Sequence, residues 1–239
     1  MAAAFLRRSG NRLLDRLPAP SYDSLRRHFQ ASEFKPRQVL FEARAEVDHV
    51  YFPIDCVTSS VTVMESGTAI EVATVGREGA VGLPGLNVVA VSPHRVFTQI
   101  PGKALRIDAS RFNTIARKDS EVWSTMALYH QAFLLQVSQS VACNGLHVIA
   151  QRCCRWLLLT HDRVDGDTLA LTHEFLSMML GVRRASVSVV LHELQDRGLI
   201  RSGAGKITVL DREGLEDAAC ECYRTATGVY ERLLGKPAR

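Results

Sequence analysis

The spacing of apolar residues divides the chain into a strand-rich part and a helical part. Between residues 31 and 107, Val, Ile, Phe and Thr alternate with polar residues in short runs that Gly and Pro separate. This alternation predicts several short strands in an antiparallel barrel or sandwich. From residue 109 onward, apolar residues recur every three or four positions, which predicts helices and makes the fold class α+β. The strand runs are QVLF, HVYFPI, VTSSVTVM, AIEVATV, RVFTQI and KALRI.

The longest helical segment, residues 119–141, carries an apolar seam at alternating three- and four-residue steps. Such a seam is typical of a coiled coil, although an ordinary helix packed on the strands has the same spacing. Ala142-Cys143-Asn144-Gly145 interrupts the pattern and predicts a hinge. The seam residues are Val122, Met126, Tyr129, Phe133, Val137 and Val141. The other predicted helices are one or two short segments within 9–30 split by Pro18-Ala19-Pro20, then 109–117 after an Asp108 cap, 146–161 and 212–234.

Residues 171–210 predict two short helices around a glycine turn at Gly181, followed by a small β-hairpin. Two amphipathic helices alone also fit a simple αα-hairpin. Three further features favour a winged helix-turn-helix: Thr172 is a good N-cap, two arginines begin the second helix, and Gly203-Ala204-Gly205-Lys206 is a turn between two short apolar runs. The apolar helix positions are Phe175, Leu176, Met179 and Leu180, then Val187, Val190, Leu191 and Leu194.

The polar face of the second helix suggests how this segment contacts DNA. Small and basic residues at a helix start suit insertion into a major groove, so we expect base contacts from Arg183, Arg184, Ser186 and Ser188. Each expectation has a plainer alternative: the basic wing residues fit a solvated surface, and Ser186 fits a contact with the partner helix. The expected phosphate contacts are Thr172, His173, Arg201 and Lys206.

Composition adds modest constraints. The net charge of +4 and the pI of about 8.8 are mildly basic and do not by themselves identify a nucleic-acid binder. The first residues hold no apolar run long enough for a signal peptide or a membrane span, so we expect a cytoplasmic protein without a membrane partner. The six cysteines are expected to be free thiols, because the cytosol is reducing. Cys220-Glu221-Cys222 is a weak metal or redox signal because no CxxC pair accompanies it, and we assign no metal site.

A β-roll, a long helix and a winged helix-turn-helix, in this order, resemble the Crp/Fnr family of bacterial transcription regulators. The resemblance implies a double-stranded β-helix of the cyclic-nucleotide-binding type at 1–118, a dimerisation helix and hinge at 119–144, and a DNA-binding domain at 145–239. It further implies a homodimer, paired along Val122, Met126, Tyr129, Phe133 and Val137, that binds palindromic double-stranded DNA, with RNA polymerase as a candidate partner. The matching positions are Leu171, Thr172, Leu176, Gly181, Arg184, Ser186, Val187, Leu191, Leu194, Gly198, Leu199 and Ile200.

The sequence departs from the family pattern where cyclic-AMP binders hold their ligand. Gly82 and Gly85 fit, but Leu83 stands in place of the glutamate that takes the ribose hydroxyl. Ser92-Pro93 occupies the place of the phosphate-binding Arg-Ser pair, with Arg95 nearby. A buried phosphate without its charged partners is costly, so we expect no cyclic-AMP binding of the usual kind, no cofactor and an unknown effector.

The other sensor chemistries of the family have little support. An iron–sulfur cluster lacks its cysteines before Cys56, and lone histidines such as His94 and His130 are weak candidates for haem ligands. The recognition helix also differs, because Ala185 and Val189 replace a glutamate and an arginine that many members use to read bases. We therefore expect an operator unlike that of the cyclic-AMP receptor protein.

Sequence-specific DNA binding by a transcription regulator is the function that these features favour. The alternative is a nucleotide-sensing signalling module that acts on a protein partner, in which the helix-turn-helix is vestigial. An enzyme is not expected, because the sequence has no Gly-rich phosphate loop or nucleophile motif, and Glu65, Glu71 and Glu78 are scattered carboxylates on or near strands.

Overall fold

The computed structural model of this chain describes residues 9–83 and 91–235. Two short helices precede seven strands that form the β-domain, residues 30–108. The strands make two antiparallel sheets, ordered β1-β7-β3 and β2-β6-β4-β5. The bounds are α1 (Arg12–Asp15), α2 (Ala19–Arg26), β1 (Gln30–Phe34), β2 (Val39–Phe41), β3 (His49–Pro53), β4 (Val57–Val63), β5 (Ala69–Val75), β6 (Arg95–Ile100) and β7 (Gly102–Asp108).

All six strand runs expected from the alternation form strands, whereas β1 in this domain was not expected. β1 buries only Phe34 of its five residues, so its sequence lacks the alternation that marks a half-buried strand. It is held by its backbone ladder with β7, from Gln30 opposite Arg106 to Phe34 opposite Gly102. Pairing with a long neighbour therefore makes a strand of a segment that its own side chains do not specify.

The rest of the chain is mainly helical. A small sheet, ordered β8-β10-β9, carries the wing. We call residues 149–234 the C-terminal domain. The bounds are α3 (Ala109–Ala116), α4 (Ser120–Leu146), α5 (Ile149–His161), β8 (Thr168–Leu169), α6 (His173–Leu180), α7 (Arg184–Asp196), β9 (Ile200–Gly203), β10 (Lys206–Val209), α8 (Arg212–Ala218) and α9 (Cys222–Leu234).

Two expected helix boundaries are wrong. The hinge expected at 142–145 is helical, because α4 continues to Leu146 and the chain becomes extended only at His147 and Val148. Asn and Gly cost a helix about 1 kcal/mol or less each, which the packing of the buried Cys143 outweighs. The expected tail helix is two helices, since Cys220 and Cys222 are both buried and residues two apart lie on different faces of one helix.

The apolar seam of α4 packs on its own chain. Val122, Met126 and Tyr129 are buried against the β-domain, and the Tyr129 hydroxyl donates to the carbonyl of Ala80 at 2.9 Å. The expectation that these three residues pair with a second chain is therefore wrong, because their side chains are already covered within the monomer. Phe133 and Val137 are half-buried at the edge of the same contact. The structure shows the alternative interpretation, in which α4 is an ordinary helix packed on the β-domain.

The opposite face of α4 leaves large apolar side chains exposed. Leu134 and Val141, seven residues apart, are 57 % and 67 % exposed, and Leu128 and Leu135 repeat with the same interval on the adjoining flank. A seven-residue repeat keeps side chains on one face of a helix. This outer face, defined by Leu128, Leu134, Leu135 and Val141, is thus a second apolar seam that the single chain does not cover.

The C-terminal domain docks on the β-domain through a continuous apolar core. Phe97 of β6 and Phe175 of α6 meet edge to face with ring centroids 6.1 Å apart. Polar contacts cross the same junction: Gln99 Nε2 donates to Thr160 Oγ1 at 3.0 Å, and the Trp156 indole N–H donates to Glu71. The two parts of the chain therefore share one core.

No single helix in the described ranges is long and apolar enough to cross a membrane. Helices α6 and α7 reach the required length and composition only when they are taken together, across a bend of 110°.

Candidate DNA interface

The helix-turn-helix is built as its sequence predicts. Thr172 caps α6, since its Oγ1 accepts the backbone N–H of Phe175 at 3.1 Å. The helix ends at Gly181, whose φ of +64° lies in the left-handed region that favours glycine. The bend of 110° between α6 and α7 is within the range of helix-turn-helix motifs. The apolar faces of both helices are buried in the C-terminal domain, which leaves the start of α7 at the surface.

Both arginines at the start of α7 reach solvent. Arg183 is the N-cap residue and makes no side-chain cap, so the first amides of the helix are not satisfied by a cap and can face an anion. The Arg184 side chain is 69 % exposed, and its Nε lies 4.0 Å from Glu174 Oε2. An exposed pair at that distance is weak, and the guanidinium can exchange Glu174 for a base edge.

His173 and Ser188 hold the interface together. The His173 ring nitrogens lie 3.0 Å from the hydroxyl oxygens of Ser188 on α7 and of Ser202 on β9. The Gln195 side chain reinforces this link, because its Oε1 accepts the backbone N–H of Ser202 at 2.9 Å. His173 was expected to contact phosphate and Ser188 a base, whereas the structure engages both side chains in fixing the wing against the recognition helix.

The wing turn has the geometry of a tight hairpin. Ala204 and Gly205 both have positive φ, +50° and +71°, as the two central residues of a type I′ turn do. Arg201 and Lys206 are exposed on either side of this turn. The side chains and backbone of the turn, with Thr172 and Arg184, line a cleft of about 460 Å³. Thr172 Oγ1 acts as the acceptor for the Phe175 N–H. The hydroxyl proton of Thr172 therefore remains free to donate into this cleft.

The structure exposes two residues that stand at base-reading positions in the family resemblance but were not assigned a DNA contact. Ala185 and Val189, one turn apart on α7, are exposed beside Arg184, whereas Ser186 is half-buried. The sequence did carry a signal for them, because both are apolar residues outside the buried stripe of an amphipathic helix. Methyl groups at these positions suit contact with the C5-methyl group of thymine.

Among the described residues, those expected to hold an effector do not form a charged pocket. Arg95 Nε lies 3.4 Å from Glu42 Oε2, and both side chains are exposed. Gly82 has a φ of +71°, and the carbonyl of His49 and the ring of Phe41 occupy the space that a side chain there would need. Leu83 packs against the apolar cluster around α4, and Gly85 lies outside the described residues. Of the described positions, Leu83 thus contributes apolar packing, and Arg95 lies beside a carboxylate.

Comparisons with known proteins agree with this geometry. Residues 151–218 match the family described as the Crp-like helix-turn-helix domain. The transcriptional regulator SdrP of Thermus thermophilus is 41 % identical over 61 residues, which cover 26 % of this chain and 30 % of SdrP. The matched segment therefore spans less than a third of that relative.

Solved structures extend the likeness to the whole fold. FixK2 from Bradyrhizobium japonicum has a TM-score of 0.67 at 18 % identity, over 80 % of this chain and 98 % of FixK2. TTHB099, a transcriptional regulator of the CRP family from Thermus thermophilus, has a TM-score of 0.66 at 20 % identity, over 79 % of this chain and 96 % of TTHB099. The expected α+β fold with a winged helix-turn-helix is confirmed. Residues 151–218 therefore form a Crp-like helix-turn-helix domain, and the chain shares the fold of FixK2 over 80 % of its length.

Proposed function

We propose that a homodimer of this chain regulates transcription by inserting the start of α7 into successive major grooves of a palindromic operator. The observation that carries this proposal is the exposure of Arg183 and Arg184 at the start of a helix whose other face is buried in a winged helix-turn-helix. A vestigial motif has no need of two unburied arginines at the one end that reaches base edges.

The contacts divide into two kinds. Arg183 and Arg184 read guanine, whose O6 and N7 accept two hydrogen bonds from one guanidinium. Val189, with Ala185, contacts a thymine methyl, and Ser186 contacts a base edge beside them. Thr172 and Lys206, which line the cleft beside the wing, hold phosphates together with the exposed Arg201, which fixes the register and makes binding salt-dependent.

The outer face of α4 supplies the dimer contact. Two pairs with seven-residue spacing, Leu128 with Leu135 and Leu134 with Val141, are exposed in the single chain. Two such faces packed around a twofold axis bury these side chains and set two recognition helices about 34 Å apart, one turn of DNA. The extended residues His147 and Val148 then lie between the dimer helix and the C-terminal domain. An effector that rotated the C-terminal domain about these residues would have to break the apolar core that it shares with the β-domain.

Selection of bound fragments from random duplex DNA tests the proposal. We expect a palindromic site with half-sites about one helical turn apart. On that site Arg184→Ala costs about 1–3 kcal/mol and relaxes the preference at one base pair of each half-site. Arg26→Ala is the matched control, because Arg26 is 72 % exposed, much like Arg184, but lies on α2.

Two results would contradict these roles. Equal weakening of Arg184→Ala on every duplex makes Arg184 a phosphate contact instead of a base reader. Recovery of no preferred sequence, with affinity unaffected by Arg184 and Arg201 together, favours the signalling module that acts without DNA.

A further inference from the structure

Four residues with metal-binding side chains meet where α4 ends. Cys143 and His147 lie one turn apart at the end of α4, and Cys220 and Cys222 lie at the junction of α8 and α9. Their three sulfurs and one ring nitrogen all lie within 4.8 Å of one another. The three cysteines are buried and form a cluster of their own. Two distant parts of the sequence thus bring a complete set of four ligands to one point.

The spacing of these atoms fits a single tetrahedral ion. Sγ of Cys143 lies 3.5 Å from Sγ of Cys220, and Sγ of Cys222 lies 3.5 Å from Nδ1 of His147. With Zn–S bonds of about 2.3 Å and Zn–N bonds of about 2.0 Å, a tetrahedron has edges of about 3.7 Å between sulfurs and about 3.5 Å between sulfur and nitrogen. A sulfur separation of 3.5 Å is far longer than a disulfide bond, and all six cysteines are free.

Groups around the cluster orient its members. The other ring nitrogen of His147, Nε2, lies 3.3 Å from a carboxylate oxygen of Glu221. Histidines that bind a metal through one nitrogen commonly donate the other N–H to a carboxylate, which fixes the tautomer and turns the first nitrogen to the ion. Gln139 Nε2 donates to Cys222 Sγ at 3.0 Å, which fixes the position of this sulfur. The intervening residue of the Cys-Glu-Cys motif thereby acquires a role.

The charge beside the cluster also fits. Three thiolates, a neutral imidazole and a divalent cation carry a net charge of −1. Arg152 is buried, and burial lowers the pKa of its guanidinium, whereas the nearby sulfurs of Cys143 and Cys220 raise it. A buried cation needs a compensating charge. Thiolates held by a metal provide it at this place, whereas protonated thiols do not.

We propose that Cys143, His147, Cys220 and Cys222 bind one Zn²⁺ ion in a closed structural site. The three thiols release their protons when the ion binds, and no ligand position remains for water or substrate. The four ligands lie on both sides of the matched domain, residues 151–218. The ion therefore ties the end of α4 to the α8–α9 junction and clamps the C-terminal domain beside His147 and Val148.

Metal analysis of the full chain, purified without chelator, tests the site. We expect one zinc ion per chain, which is lost in Cys222→Ala and in His147→Ala. Cys56→Ala is the matched control, because Cys56 is equally buried but lies in the β-domain and should keep the zinc. Glu221→Gln keeps all four ligands and should lower zinc affinity about 10-fold or more.

Cobalt makes the test independent of whether a variant folds. In the wild-type protein, Co²⁺ in place of zinc should give thiolate-to-cobalt charge transfer and the intense visible bands of a tetrahedral ion. His147→Cys restores four ligands, so it should retain the ion and strengthen the charge-transfer band. Wild-type protein without stoichiometric zinc, iron in place of zinc, a Cys143–Cys220 disulfide or a cobalt spectrum without charge transfer would each overturn the proposal.

Discussion

Glu78 and Arg163 form an ion pair inside the protein. Arg163 Nε donates to Glu78 Oε1 at 2.8 Å. The side chain of Glu78 is only 6 % exposed and that of Arg163 only 5 %. The same guanidinium also donates to the carbonyl groups of Leu159 and Thr74, so most of its hydrogen-bonding capacity is used. Since Glu78 follows β5 and Arg163 follows α5, this pair joins the β-domain to the C-terminal domain.

Removing one charge from this pair should be costly. Glu78→Gln leaves the Arg163 cation buried without its counter-charge, and we expect a loss of about 3–5 kcal/mol in the free energy of unfolding. Urea denaturation measures it. Asp165→Asn is the control, because the exposed carboxylate of Asp165 pairs with Arg77 and its loss should cost about 0–1 kcal/mol. Equal effects of the two substitutions would mean that water reaches Arg163.

Glu71 should make stability depend on pH. Burial raises the pKa of Glu71 above its ordinary value of 4.5, although hydrogen bonds from Ser59 and Trp156 oppose the shift. The folded state therefore holds this proton more tightly than the unfolded state, so the contribution of Glu71 to stability falls as pH rises from the ordinary pKa through the raised one. Glu71→Gln has no carboxyl group to ionise, so this pH-dependent loss of stability should be absent from the variant.

Unfolding free energies at several pH values check the sign. The difference between Glu71→Gln and the wild type should move in favour of the variant from about pH 4 upward and then level off. A difference that stays constant with pH would show that Glu71 is ionised in the folded state at the same pH as in the unfolded state.

Single residues also show what sequence patterns can predict. The cap at Thr172 and the exposure of Arg184 follow from local spacing, so both were expected. The contacts of His173 with Ser188 and Ser202 were not expected. They join α6, α7 and β9, whose relative positions depend on tertiary packing. The cysteine cluster was missed for the same reason: the partners of Cys220 and Cys222 lie on α4, far away in the sequence.

At the scale of the element, α4 explains why the apolar seam that packs within the monomer was assigned to a dimer contact. Both its faces carry apolar residues at helical spacing, and periodicity alone does not show which face packs on the β-domain. Tyr129 decides the matter in the structure, because its hydroxyl reaches the Ala80 carbonyl only from the inner face. The helix could be predicted from the sequence, whereas its rotation about its own axis could not.

The outer face of α4 should control the oligomeric state. A charge at Leu134 or Leu135 would be buried unpaired between two chains, so Leu134→Asp and Leu135→Asp should shift the protein to monomers that bind a full operator poorly. Sedimentation analysis gives the mass. Leu210→Asp is the matched control, since Leu210 is also an exposed leucine but lies outside α4. Dimers of unchanged mass for both variants would place the interface elsewhere.

At the scale of the whole molecule, the two parts expected to be separated by a hinge are docked on each other. Gly181, the turn of the helix-turn-helix, lies so close to Ile70 of β5 that a Cβ on Gly181 would be 2.7 Å from Ile70 Cδ1. Composition and periodicity describe each part but carry no information on a contact between them. The core around Phe97 and Phe175 therefore had no sequence signal.

A double-mutant cycle at this contact shows whether docking persists in solution. Gly181→Ala should destabilise the chain by about 1–2 kcal/mol because of its left-handed φ, and by more because the methyl group meets Ile70. Ile70→Ala removes the clash with the new methyl group but leaves the cost of the left-handed φ. The double variant should thus be more stable than the sum of the single effects by about 0.5–3 kcal/mol, in urea unfolding of the free protein. Effects that add would mean that the turn and β5 are apart in solution, and that the recognition helices are free to change their spacing without breaking this contact.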